Sequence, residues 1–244
     1  MYERDLNDMI NSVEGTRERE WAVSEAFPKL MRKVYVWMTL ALVITGFTAY
    51  SVATSPNLLT AIYSNQAIMW GLIIGEFALV IGITAAINKL SLTMATLLFV
   101  LFSVVNGVTL SSIFVIYTMT SIAKVFFITA ATFGVMAFIG YTTKTDLTSI
   151  GKILLMALIG VIIATIVNIF LKSSMLELIC SYVGVAIFVG LTAYDSQKIK
   201  EMLMTQYDMS EAAQKIALLG ALSLYLDFIN LFLYLLRLFG SRND

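Results

Sequence analysis

Residues 221–240 read ALSLYLDFINLFLYLLRLFG, twenty positions whose only formal charges are Asp227 and, near the end, Arg237. At 1.5 Å per residue, twenty such positions cross a hydrocarbon layer of about 30 Å. A soluble helix of this length shows a polar face, and this one has none wide enough to meet water. The stretch therefore reads as a membrane span that carries one acid in its middle.

Working outward, the same signature recurs six more times. Apolar stretches lie near 34–55, 68–88, 94–117, 122–141, 152–171 and 179–198, with the last near 215–238. Across all 244 residues 59% are hydrophobic and 13% charged, against roughly 45–50% and ~25% in soluble domains. The composition predicts an all-α integral membrane protein with seven transmembrane helices, and the short connections leave no room for a second folded domain. Residues 1–29 hold seven acids among mixed bases and lack the apolar core of a cleaved signal. They are expected to form a polar cytoplasmic tail, with 30–244 as the seven-helix domain. Pro28 and Pro56 are both expected to fall outside the helices.

Charge counts exclude several functions. Sixteen basic residues balance sixteen acids, so nothing favours a nucleic-acid partner. One cysteine and no histidine rule out a disulfide, Ser-His triads, zinc centres and haem ligation. Span seven has no lysine after Lys215 for a retinal Schiff base, and no Gly-x-Gly-Asp run surrounds Asp227 as in aspartyl intramembrane proteases. No enzyme activity and no cofactor are expected. With the N-terminus in the cytoplasm, twelve of the sixteen bases fall on that side and the 54–66 loop, TSPNLLTAIYSNQ, has no charge, as the positive-inside rule requires. Short loops and the missing signal fit a bacterial inner membrane.

Three carboxylates lie within spans: Glu76 in span two, Asp195 near the cytoplasmic end of span six, and Asp227 in span seven. Each costs about 2.5–3.5 kcal/mol to insert unless a partner or a water-lined cavity receives it. Asp195 also reads as a helix-end residue reaching the cytoplasmic water, and Glu76 as a protonated core acid. Asp227, twelve residues beyond Lys215, is about 18 Å along its helix and has no such escape. Gly220 shares a face with Asp227, and Gly184 with Asp195, so small residues let spans six and seven approach closely. Two carboxyls that meet there cannot comfortably both ionise; they hold one proton and titrate as a pair. That gives a chain without histidine a means of sensing pH. Asn106, Thr109, Ser111, Ser112, Asn168 and Asn230 read as interhelical hydrogen-bonding groups, and Tyr194 and Tyr225 as packing residues or donors to the aspartates.

Four strings, NGVTLSSIF (106–114), GYTTKTDLTSIG (140–151), GLTAYDSQKIK (190–200) and the 221–240 segment, occur in an order and spacing that resembles the Bax inhibitor-1 family of multi-pass membrane proteins. The resemblance implies a seven-helix fold whose seventh helix is central and wrapped by the other six. It also implies a pH-sensitive calcium leak, with Asp195 and Asp227 as the paired acids and a weak Ca²⁺ transit site. By position Glu76 assists in the pathway and Lys89, standing where the bacterial pore picture has arginine, is the possible latch. The partners expected are the lipid bilayer and calcium ion. The competing function is a non-conducting regulator that binds other membrane proteins, a membrane protease or cell-death factors, through TREREW (16–21) in the tail.

Overall fold

The computed structural model describes residues 2–243, with side chains from Arg17 onward. The described residues form α1 (Tyr2–Ala53), α2 (Pro56–Tyr63), α3 (Gln66–Ala86), α4 (Leu92–Leu110), α5 (Ser112–Ile116), α6 (Met119–Thr142), α7 (Thr148–Leu171), α8 (Ser174–Met204) and α9 (Glu211–Phe239). Seven spans are long and apolar enough to cross a membrane, α4 and α5 together making one. Five helices begin where a short polar side chain takes up an orphan N–H of the first turn: Asn65, Ser91, Thr118, Ser173 and Ser210.

The spans agree with the hydropathy reading to within a few residues, and three features depart from it. Pro28 lies inside α1, which continues through residue 29 without a break, and Pro56, also expected outside the helices, opens α2 at the first helical position, where a proline's missing N–H costs nothing. Inside a helix proline costs the i−4 hydrogen bond, for Pro28 the one to the Ser24 carbonyl. Ala26, Leu30, Met31 and Val34 are all buried, and packing of this face holds the helix through the proline. Second, span three breaks at Ser111 between α4 and α5. The Thr109, Ser111 and Ser112 hydroxyls bond back to carbonyls of their own segment, which bends helices. Tyr63 of α2 fills the break: its hydroxyl donates to the Thr109 carbonyl at 3.0 Å and accepts from the Ser112 N–H.

Third, α9 is central but is not wrapped by six helices. Most positions from Ala217 to Phe232 are buried, and the half-buried ones, Leu219, Ser223, Leu226 and Asn230, follow a single stripe of the helix. It packs against α8, α1, α6 and α4, whereas α3 lies chiefly on α4 and α7 on α8 at the periphery. Ile74, Phe77 and Ile81 of α3 and Ile153, Met156 and Phe170 of α7 face outward, as lipid-exposed positions do.

The bundle has two ends. The α1 end holds the α3–α4, α6–α7 and α8–α9 connections; the opposite end holds α2, the α5–α6 and α7–α8 connections and the C-terminus. The 29 residues of α9 span about 43 Å, and its exit is tied to the α5–α6 junction by Thr118 N–H to the Ser241 carbonyl at 3.0 Å and Asn243 N–H to the Ile116 carbonyl at 2.9 Å. Span seven thus runs from one end of the bundle to the other. At the α1 end, Gln197 brackets the α6–α7 loop by donating to the Thr145 carbonyl and accepting from Leu147 N–H, each at 2.8 Å. Glu211 accepts from Leu92 N–H and Lys215 donates to the Leu90 carbonyl, also at 2.8 Å, which anchors the α3–α4 turn.

Candidate functional site: the acids around α9

Helices α8 and α9 run antiparallel at close range because glycines stand at both crossings. A Cβ on Gly184 would come within 2.6 Å of the Tyr234 ring, and one on Gly220 within 3.1 Å of Ile199. These two contacts fix the register. Counting from either, Asp195 lies level with residues 223–224 and Asp227 one helical turn farther from the α1 end, an offset of about 5 Å along the axis.

Asp227 is 5% exposed, and its Oδ2 is buried without a hydrogen-bond partner. The charged group whose field acts on it is Asp195. Asp195 is half-buried and in turn feels Lys198, one turn closer to the α1 end. Next to it the Ser196 hydroxyl is fully buried and also unpartnered. Buried polar groups are nearly always satisfied. Three side-chain oxygens are unmatched among the described residues, two of them carboxyl oxygens of Asp227 and Glu76.

Glu76 belongs to a different cluster. Asp227 and Tyr225 are two residues apart, about 200° around the helix, so they address opposite faces of α9. On the Tyr225 face, its hydroxyl lies 2.9 Å from Asn106 Oδ1 and 2.7 Å from Thr45 Oγ1, and Thr45 Oγ1 is 2.9 Å from the Ser103 carbonyl. The Phe99 and Phe102 rings meet the Tyr225 ring edge-on and seal it completely. Glu76 faces Asn106 and Thr109 from α3, and its charge also acts on Tyr225. Two hydroxyl protons serve three contacts, so the chain has two arrangements. Either Thr45 donates to Tyr225 and Tyr225 to Asn106, or the Asn106 amide turns its NH₂ to Tyr225 and the donors run on through Thr45 to Ser103.

Of the alternatives the sequence left open for the tyrosines, packing is the one seen for Tyr194, and two of the amides depart from expectation. Neither Tyr194 nor Tyr225 bonds an aspartate among the described contacts: the Tyr194 ring packs on Gly151 and under Lys198. Asn168 bonds Ser173 N–H in the α7–α8 turn and Asn230 the Leu226 carbonyl of its own helix, leaving Asn106 and Ser111 as the interhelical groups. Lys89 is exposed in the α3–α4 turn and enters no ion pair among the described residues. Among those residues no three His, Cys, Asp or Glu side chains converge as a metal cage. Outside the membrane, the Thr148 hydroxyl and backbone N–H hold the Asp146 carboxyl below its usual range, and Ser210 does the same for Asp208.

The profile of the family described as "Inhibitor of apoptosis-promoting Bax1" matches residues 28–244. The chain belongs to the Bax inhibitor-1 family. Its relatives include an inner membrane protein, YbhL, of Escherichia coli, 50% identical over 214 residues that cover 87% of this chain and 91% of that one. A protein of Borreliella burgdorferi is 47% identical over 88% of this chain and 93% of its own. A membrane protein of Streptococcus pyogenes is 37% identical over 87% and 92%. The match begins at Pro28, inside α1, and takes in every span and both acidic clusters. The protein is thus a multi-pass integral membrane protein of this family.

Proposed function

We propose that the protein is a passive, pH-sensitive calcium leak, not an enzyme, whose gate is the Asp195–Asp227 pair. The observation that carries the proposal is Asp227: a carboxyl buried in a span, with one oxygen unmatched and another acid as its charged neighbour. Acids that merely locked helices together would be matched with donors, because an unmatched buried group costs about 1–3 kcal/mol. In acid the two carboxyls share a proton and the α8–α9 contact stays closed. Once the proton leaves, like charges repel and attract a divalent cation into the gap. Calcium normally takes six to eight oxygens, and two carboxylates with a few carbonyls supply a weak transit site suited to passage.

Among the described residues, few groups outside the intramembrane acids are suited to a side-chain titration between pH 6 and 8. Histidine is absent, and the loop acids Asp146 and Asp208 are held below the ordinary carboxylate range. The bases crowd the α1 end, so on this reading that end, with the N-terminus, faces the cytoplasm of a bacterial inner membrane. The test is calcium-dye flux in liposomes containing purified protein. Wild-type flux rises several-fold from pH 6 to pH 8, and Asp195→Asn and Asp227→Asn flatten the profile. Equal flux and equal pH dependence in all three overturn the proposal.

A further inference from the structure

Helices α1 and α6 run antiparallel and side by side, yet they scarcely touch. Phe27 stacks on Tyr141 with ring centroids 6.3 Å apart, and the same register brings Met31 beside Ala137 and Tyr35 beside Phe133. Between these pairs the helices part, leaving an open groove of about 560 Å³. Its walls are Phe27, Pro28, Met31 and Tyr35 on one side, Phe133, Ala137 and Phe138 on the other. Gly134 forms part of its floor and has nothing within 4 Å of where a Cβ would stand. Eight residues separate Phe27 from Tyr35, so the groove runs about 12 Å down from the α1 end. Farther along, the same seam opens again between Leu42, Gly46 and Phe126, where Phe228 and Ile229 of α9, the residues directly after Asp227, form its back wall.

One cation reaches the mouth: Arg32 is five residues along from Phe27, and helical side chains lean toward the start of their helix, which carries its guanidinium back toward the opening. Arg32 lines the groove, is exposed, and joins no ion pair among the described residues. Its neighbours are engaged: Lys29 with Glu25 at 2.6 Å, and Lys33 with Gln214. Arg32 and Lys33 precede the long apolar run of α1, near the level where headgroups meet the hydrocarbon, and the Phe27 and Tyr141 rings flank the mouth as interfacial aromatics do, with Tyr35 at the deep end. A guanidinium presents several N–H donors in a planar fork that matches a phosphodiester. Below it lies an apolar trench that water cannot usefully fill.

We infer that the α1–α6 groove is a binding site for an anionic glycerophospholipid, its phosphate on Arg32 and one acyl chain laid along Met31, Phe133 and Phe138. Charge complementarity and the groove's opening onto the lipid face fix the occupant. A protein helix needs a wider trough, and a zwitterionic lipid gains less from the one unpaired cation. The inference is independent of the calcium reading, since neither aspartate lines the groove.

The test uses full-length protein in which Trp21, Trp37 and Trp70 are replaced by Phe and Phe138→Trp supplies one reporter. Quenching by dibrominated phosphatidylglycerol is compared with quenching by dibrominated phosphatidylcholine in mixed vesicles. The expected result is a preference for phosphatidylglycerol of about three- to tenfold. It falls to near unity with Arg32→Gln, and also with Gly134→Leu, which fills the trench in open space while leaving Arg32 in place. A reporter at the exposed Phe127, on the same helix but outside the groove, shows no preference. The inference is overturned if Phe138→Trp shows no preference, if Phe127→Trp shows an equal one, or if Gly134→Leu leaves it intact, which would mean that Arg32 only gathers lipid at the surface.

Discussion

Replacing Asp227 with asparagine is expected to make the protein more stable and less active. The side chain is buried with Oδ2 unmatched, in a layer where an ionised acid costs about 2.5–3.5 kcal/mol. Asparagine is nearly isosteric, so no cavity opens. It removes the charge but still buries an amide with unmatched atoms, which gives back about 1–2 kcal/mol of that gain. The net stabilisation at pH 8 is then about 0.5–2.5 kcal/mol, or some 1–10 °C at ~2–4 °C per kcal/mol for a chain of this size. At pH 6 the wild-type pair holds its proton and carries less charge, so the advantage shrinks toward zero. The melt can be followed through Cys180, the chain's one cysteine, which is buried at 4% exposure and reacts with a thiol-activated fluorophore only on unfolding. Stability bought at the expense of function is the pattern expected of a working site. A variant less stable than wild type at pH 8, or a gain of equal size at pH 6 and pH 8, would refute the reasoning and make Asp227 a structural acid.

On the other face of α9, Tyr225→Phe removes the hydroxyl shared by Thr45 and Asn106 and should cost about 1–3 kcal/mol in the same melt; the cost should be smaller when Thr45→Val is already present. Gly140→Ala drives a Cβ into the Ala193 backbone carbonyl, which cannot swing away, and should lose about 3 kcal/mol or more. Gly160→Ala, with nothing within 4 Å, should gain up to about 1 kcal/mol. Asp146→Asn should lower the melting temperature at pH 7 and by less as the pH falls below about 3.9. An acid whose carboxyl is held low when folded contributes fully above its unfolded value of about 3.9 and loses that contribution as the pH falls through the folded one. Across pH 6 to 8 this variant should leave the flux profile unchanged.

How much of this was readable in the letters depends on the range of the interaction involved. The spans were, because lipid demands about twenty apolar residues in a row and 221–240 supplies them locally. The closeness of α8 and α9 was readable from Gly184 and Gly220, since small residues state where backbones approach. The continuation of α1 through Pro28 was not: a proline reads as a helix boundary, and only the tertiary burial of Ala26, Leu30 and Val34 overrides it. Nor was the Thr45–Tyr225–Asn106 chain, whose members come from three helices, 119 and 180 positions apart along the sequence from Tyr225, and which no periodicity connects. Asn168 and Asn230 look the same as Asn106 in sequence; what separates them is whether a donor stands across from them or within their own turn. The groove between α1 and α6 is a gap between two ordinary spans, and a sequence has no mark for a missing contact.

The most direct measurement is an isotope-edited infrared titration of the reconstituted protein, counting protonated carboxyl groups per chain between pH 6 and pH 8. A shared proton predicts one carboxylic acid signal lost over that range in wild type and no such signal change in either Asp195→Asn or Asp227→Asn. A titration that persists unchanged in both variants, or a wild-type protein that releases no carboxyl proton there, would contradict the account.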